Sequence, residues 1–325
     1  MSIKLDRGNV FDKPGNWYKG NLHLHTTKSD GKTDPDTALR WHKDNDYDFV
    51  CFGDHWHVTE PRDPEGKILV IPGCEIDTWT DGTIGNTHIM CVGVDGIKGD
   101  FRPRNRAGVR ELWDWATRIS DYRWIAHPYW STQSAESLKS YPGLKAIEVF
   151  NGLFDTTLAM GDGEYPWHML LNEGVRIDAL AVDDAHGGAE SMGKGWIMVK
   201  AMECTRPAII AALHAGDFYA TRGPGIASVE FTDKSLIVRT TPAKRIIVRT
   251  NQFFGGVWTA RGGEGDSIVV AEAKIDLNEM NHIRIVVEDH QGRKAWSNPF
   301  YFTDTKLQPK RRIEVAGEPR PQPWG

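Results

Sequence analysis

The sequence predicts an α/β chain. A barrel of about seven strand–helix units (residues 1–222) precedes a small all-β, immunoglobulin-like sandwich (223–304) and an extended or disordered tail (305–325). Three observations carry that expectation. Up to about residue 215, short runs that are apolar throughout alternate with amphipathic stretches, the pattern of a parallel sheet covered by helices. After Arg222-Gly223-Pro224-Gly225 the helical periodicity stops and β-rich runs separated by turn signals follow one another. From Lys306 the chain carries Pro309, Pro319, Pro321 and Pro323 among basic residues, which favours an extended path.

In chain order, the apolar runs predict strands over 20–25, 49–54, 68–76, 88–94, 124–127, 146–150 and 179–182. Asp34-Pro35 supplies a cap and a first-turn proline for a helix through Thr37, Ala38, Leu39 and Trp41. Further helical patterns cover 108–119, 134–140, 166–172 and 206–215. In the second part, strands are expected over 227–231, 236–240, 245–250, 253–259, 268–273, 282–288 and 295–302. With about seven alternating units in the first part, a closed or nearly closed barrel is the economical arrangement, and its chemistry belongs at the C-terminal ends of the strands.

Composition bounds the function. A net charge of −5 over 325 residues gives no electrostatic reason to expect nucleic acid or an anionic membrane as partner, leaving a small-molecule substrate. The polar N-terminus lacks the apolar core of a signal peptide, and no apolar run approaches membrane-spanning length. The four cysteines (Cys51, Cys74, Cys91 and Cys204) lie singly, without a CxxC pair. That argues against disulfides and structural zinc and for the cytoplasm. Thirteen tryptophans fit core packing or an aromatic pocket wall, Trp56 and Trp130 being the best placed for the second.

Metal-type residues recur at the predicted strand ends. His23-Leu24-His25 puts two imidazoles on one side of a strand, and Ser29-Asp30-Gly31 follows with a carboxylate. Asp54-His55, Gly73-Cys74-Glu75, Thr87-His88, Ala126-His127-Pro128 and Asp183-Asp184-Ala185-His186 repeat the pattern, and Glu148 lies inside another strand. Singly, such a histidine is a hydrogen-bonded core residue and such a glutamate a solvated one. So many ionisable groups buried at one end of a barrel require positive compensation, which divalent ions supply.

The order HxH…SDG…DH…GCE…H…AHP…DAH resembles the PHP (polymerase and histidinol phosphatase) superfamily of metal-dependent hydrolases, and within it the carbaryl-hydrolase-like branch. That branch also tends to carry segments like Phe218-Tyr219-Ala220-Thr221-Arg222-Gly223-Pro224 and Ala295-Trp296-Ser297-Asn298-Pro299, so the resemblance runs to about Thr303. It implies a distorted (β/α)7 barrel with two to three divalent ions. One ion would take His23, His25, Glu75 and Asp184. A second, sharing Glu75, would take His88 and His127, and a third Asp30, His55 and His186. This chain departs in having Gly53 where a threonine is usual, and Trp56-His57 where an acidic residue or asparagine is common.

Asp54 and Asp183 flank ligands, and accepting the N–H of a metal-bound imidazole is their alternative to ligation. Glu148 is open between such a role and facing the barrel interior with a proton or partner. His57 is the candidate general acid or substrate contact. A phosphate pocket usually adds cations, and Lys28, Lys194 and above all Arg222 are the candidates, with an ion pair as the alternative for each. His42, His168, His214, His282 and His290 receive no chemistry. Such a site makes a bridging hydroxide available near neutrality. The expected reaction is hydrolysis of a small phosphate mono- or diester, with a carbamate or carboxylic ester, or metal binding with little catalysis, as alternatives. Histidine-rich ligation points to Zn, Mn or Fe rather than Mg or Ca.

Overall fold

Strand formation follows the apolar runs, but the way the strands pair depends on the length of the connections between them. In a computed structural model, which describes residues 3–78, 86–97, 99–100, 108–251, 255–261, 266–276 and 280–305, the chain is mixed α/β. Asn16–Asn21, Phe49–Val50 and Leu69–Val70 are parallel neighbours, as are Ser120–Ile125, Ala146–Asn151 and Asp178–Val182. The hairpin Gly73–Thr78/Thr87–Val94 and the pairing of Thr87–Val94 with Ser120–Ile125 are antiparallel. The expectation of a wholly parallel sheet is therefore corrected, because the connection 79–86 is too short for the crossover that a parallel neighbour needs. Single bridges Leu24↔Ala185 and His55↔Glu75 link the two groups of strands at one end.

The run predicted as one strand over 68–76 is two, divided at Ile71-Pro72, where proline has no N–H for a ladder. Helices cover Pro35–Asp44, Val109–Ile119, Ala135–Lys139, Glu164–Asn172 and Arg206–Ala215. Asp34 caps the first by accepting from the Thr37 amide at 3.0 Å. Several elements lay outside the sequence reading, and two of them frame the site. Gly152–Leu158 is a helix capped by Asn151, which accepts from the Phe154 amide at 3.1 Å. Trp196–Ala201 is a strand between Asn16–Asn21 and Phe218–Thr221, with Ile197, Val199 and Ala201 buried on one face.

The strands after residue 222 are antiparallel throughout. Ile226–Phe231, Ser235–Ala243 and Ile268–Lys274 form a three-stranded sheet. Arg245–Thr250, Gly255–Thr259, His282–Glu288 and Lys294–Ser297 belong to a ten-stranded sheet that continues through Phe218–Thr221 to Asn16–Asn21. Val229, Leu236, Val238, Ile246, Val248, Ile283, Ile285 and Val287 share one core between these sheets, each worth roughly 1.5–3 kcal/mol when fully buried. A second core (Leu22, Phe49, Ile89, Trp124, Ile147, Leu180 and Phe218) lies beneath the metal-type residues. Asn298 ties the two halves, accepting from the Ala179 amide at 2.9 Å and donating to the carbonyls of Gly216 and Phe218. The four cysteines are free. Among the described residues no helix is long and apolar enough to cross a membrane. The expected tail lies outside the described residues from 306 onward.

Candidate metal centre

The turns after the strands, rather than the strands themselves, aim the side chains. His127 and Asp184 adopt φ of 29° and 51°, and Trp56, next to His55, φ of 54°. Non-glycine residues in this region are strained and concentrate at functional sites. Glu75 and His88 come instead from the two strands of one hairpin, where Asp77 stands opposite His88 and Glu75 lies two residues away on the same face.

Glu75 is the centre of the arrangement. Its Oε1 lies 3.4 Å from His23 Nε2, 3.2 Å from His88 Nδ1 and 3.4 Å from His127 Nε2. Its Oε2 lies 3.5 Å from His25 Nε2 and 3.4 Å from His55 Nε2. Asp184 Oδ1 is 3.3 Å from His23 Nε2 and 3.2 Å from His25 Nε2. Asp30 Oδ2 is 3.3 Å from His186 Nε2 and 3.7 Å from His55 Nε2. All nine predicted ligands therefore converge. Seven of them form overlapping groups (His25, Asp30, His55 and His186; His23, His25 and Glu75; and His55, Glu75 and His88), and His127 and Asp184 adjoin these through Glu75 and through His23 and His25. His25 joins the group expected of Asp30, His55 and His186, and His55 reaches into the one built on Glu75 and His88.

Five imidazoles share one design. Nδ1 of His23 donates to Glu148 Oε1 at 2.8 Å and Nδ1 of His55 to Asp77 Oδ1 at 3.1 Å. That of His186 donates to the Asp184 carbonyl at 2.9 Å, and those of His127 and His25 meet Ser131 Oγ at 2.9 Å and Ser29 Oγ at 3.4 Å. Nε2 is left facing inward in each, the orientation that outer partners impose on metal-binding histidines. Glu148 resolves as such a partner. Its Oε1 accepts from His23 and from Trp124 Nε1 at 3.0 Å, and its Oε2 accepts from the His127 amide at 2.7 Å and Asn151 Nδ2 at 2.8 Å.

The donor set fits divalent metal. Two ligands bonded at about 2.0–2.1 Å to a tetrahedral ion stand roughly 3.3 Å apart, close to the spacings above and to the 3.1 Å between His23 Nε2 and His25 Nε2. Glu75 Oε1, His88 Nδ1 and Asp184 Oδ1 are buried without a hydrogen-bond partner, which is costly unless another group satisfies them.

Charge follows geometry. Burial by itself would raise Glu75 and Asp184, but the imidazoles (His88, His23 and His55 for Glu75; His23, His25 and His186 for Asp184) hold both well below the usual carboxylate range. Burial would lower His23, His55 and His186. For His23, Asp184, Glu75 and Glu148 reverse this and hold it well above its usual value. Glu75 and Asp77 push His55 to about 9, and Asp30 and Asp184 push His186 to about 9. In the metal-free protein these rings carry protons at neutral pH, yet only a neutral nitrogen can ligate. Metal binding at pH 7.5 is thus expected to release two or more protons, and apparent affinity to rise with pH up to about 9. Calorimetry in buffers of different protonation enthalpy measures this, and a buffer-independent heat is the contrary result. The raised folded pKa values also mean that their contribution to metal-free stability is complete below about 6.5 and lost as pH rises through about 9.

The remaining predicted residues fall elsewhere. The Asp54 carboxylate takes no imidazole; it accepts from the Thr26 amide and hydroxyl at 2.7 Å, Ser29 Oγ at 2.8 Å and Thr59 Oγ1 at 2.6 Å, fixing the loop that carries His25 and Asp30. Asp183 accepts from Asn21 Nδ2 and from the amides of Gly193, Lys194 and Gly195. His57 sits in the strand His57–Val58 against Gly99–Asp100, off the pocket wall, because the left-handed Trp56 breaks the alternation that would align it with His55. Arg222 pairs with Asp155 at 2.9 Å and lies 3.8 Å over the Phe150 ring, so it is an ion pair and not a pocket cation. Trp56 is buried, donating to Asp77 at 2.8 Å.

The pocket over the centre measures about 370 Å3, and Trp130, Leu153 and Phe154 form its apolar side. Trp130 stacks on Phe154 at 4.3 Å and meets His127 edge-on at 5.0 Å. Asp77, Ser131 and Asn151 were missed by sequence reasoning. Asp77 was accessible to it, lying two residues beyond Glu75 in one strand. Gly53, where a threonine was the residue expected, has a reason: a Cβ there would come within 2.8 Å of His23 Cδ2 and 2.9 Å of Met90 Sδ. Gly53→Ala is expected to displace His23 and lower metal affinity on the order of tenfold or more, measured by competition with a chromogenic chelator. An unchanged affinity would contradict that contact.

No protein-family model and no curated protein matches the chain. Among solved structures it is similar to a two-domain protein of Bacteroides vulgatus containing a predicted PHP-like metal-dependent phosphoesterase, at 14% identity and a TM-score of 0.48 over 89% of this chain and 93% of that one. It is also similar to an amidohydrolase of Chromobacterium violaceum with bound sulfate and no metal, at 15% identity and a TM-score of 0.39 over 53% and 89%.

Proposed function

We propose that the chain is a multinuclear metal-dependent hydrolase that cleaves a small phosphate mono- or diester. The observation that supports this most is one buried carboxylate, Glu75, facing five imidazole nitrogens at the floor of an open pocket. His23, His25, Glu75 and Asp184, then Glu75, His88 and His127, then Asp30, His55 and His186 would hold two to three ions of Zn, Mn or Fe. When bound, such ions lower the pKa of water and stabilise charge developing on the substrate oxygen. The chain's own residues do the rest. Glu148, Asp77 and Ser131 hold the imidazoles in register, Asp54 fixes the Ser29-Asp30 loop, and Trp130 with Phe154 excludes water from one side of the substrate.

The reading includes a distorted (β/α)7 barrel over 1–222, which the bridges Leu24↔Ala185 and His55↔Glu75 support, an immunoglobulin-like sandwich over 223–304, and a cytoplasmic setting for the free cysteines. One observation favours a second substrate class, the carbamate or carboxylic ester of the carbaryl-hydrolase branch. No lysine or arginine lines the pocket among the described residues, whereas Trp130, Leu153 and Phe154 do. Turnover of aryl phosphates and aryl carbamates by protein loaded with Zn, Mn or Fe tests both. Phosphate cleavage alone supports the first, carbamate cleavage alone the second, and cleavage of neither contradicts the hydrolase.

A further inference from the structure

A second pocket, of about 520 Å3, opens between the helix Glu164–Asn172 and the sheet face formed by Arg245–Thr250, Gly255–Thr259 and His282–Glu288. It shares no lining residue with the metal pocket. Its charges do not balance. Arg245 pairs with Glu288, and Lys294 Nζ with Glu164 Oε1 at 2.5 Å. Glu164 also accepts from Trp296 Nε1 at 2.9 Å. Lys294 also lies 3.6 Å from Asp162 Oδ2, while Arg249 Nη2 comes no closer than 4.0 Å to the other oxygen of Glu164, Oε2.

The strand register makes this worse. Arg249 stands directly opposite Arg284, and like charges in that position destabilise a sheet. Arg284 shares its face with Val286 and Glu288, both of which line the pocket. It is fully buried, with its guanidinium 4.1 Å over the Trp167 ring and Nη2 donating to His168 Nδ1 at 3.2 Å. Its Nε and Nη1 have no hydrogen-bond partner. The positive field reaches both neighbouring imidazoles. Burial first and then Arg284 push His282 down to about 3, and burial with Arg284 and Arg249 lowers His168. A buried cation with unmet donors beside a second cation calls for an anion.

We propose that this pocket is an oxyanion site for the phosphate or carboxylate group of a small organic anion. Arg249 is the direct donor, Arg284 the charge beneath it, and Val257 and Val286 contact the apolar part. The site is independent of the metal centre and of the reaction proposed there.

The test uses the full chain, with thermal midpoints measured in inorganic phosphate or succinate against chloride of equal ionic strength. Wild type is compared with Arg249→Gln, whose side chain is 44% exposed and tolerant of replacement, and with Arg110→Gln as a distant surface control. His127→Ala separates the site from the metal pocket. One or both anions are expected to raise the midpoint in wild type, Arg110→Gln and His127→Ala. Binding should be about tenfold or more weaker in Arg249→Gln. No shift in wild type with either anion overturns the proposal. So does an undiminished shift in Arg249→Gln, or a shift abolished by His127→Ala.

Discussion

Glu75→Gln is expected to remove bound metal below one ion per chain and to lower hydrolysis on the order of 10³-fold or more, since metal ions supply several kcal/mol of transition-state stabilisation. The substitution changes one atom and no volume. What it removes is the negative charge that five imidazole nitrogens face at 3.2–3.5 Å. A glutamine offers one acceptor oxygen and directs an NH2 group at the remaining rings. The rings lose their shared carboxylate and with it part of what raises His23 and His55. Elemental analysis and turnover, with circular dichroism as the check on folding, measure the outcome. A variant with wild-type metal content would remove Glu75 from the centre.

The second large effect belongs to a residue that touches no substrate. Glu148 receives two donors on each oxygen, His23 Nδ1 and Trp124 Nε1 on one, the His127 amide and Asn151 Nδ2 on the other. Glutamine cannot replace it in either flip, because its NH2 would face two donors and leave both unsatisfied. An orphaned buried donor costs about 1–3 kcal/mol, so Glu148→Gln is expected to lose about 2–6 kcal/mol of stability. His23 and His127 also lose their anchor, and metal affinity should fall about 10–100-fold. Urea unfolding gives the first quantity and chelator competition the second. Unchanged values in both would show that Glu148 does not position the ligands.

These residues differ in how visible they were in the sequence. Eight of the nine converging residues stood out because each is a histidine or carboxylate in or at the edge of an apolar run, where burial without compensation is costly; Asp30 stood out only as a turn carboxylate just after His25. Glu148 was visible as a buried charge, but its role depends on Trp124 and Asn151, whose partnership no local pattern encodes. His57 was a candidate through its nearness to His55 in sequence, but the φ of 54° at Trp56 carries it into the strand His57–Val58, off the pocket wall. Arg222 stood open between a pocket cation and an ion pair because its partner Asp155 lies in a helix, Gly152–Leu158, that the sequence reading did not see. The strands after residue 222 were legible from turn signals, whereas their continuity with the strand Asn16–Asn21 through Phe218–Thr221 rests on pairings between distant segments.

The central claim is that Glu75 joins neighbouring metal positions, so that removing a ligand from one empties that position and spares the others. Counting metal per chain in wild type and His127→Ala, by elemental analysis after loading with Zn or Mn, tests it most directly. Two to three ions in wild type, one fewer in the variant and an unchanged fold are the predicted result. Equal counts in the two proteins, or no tightly bound ion in either, would contradict it.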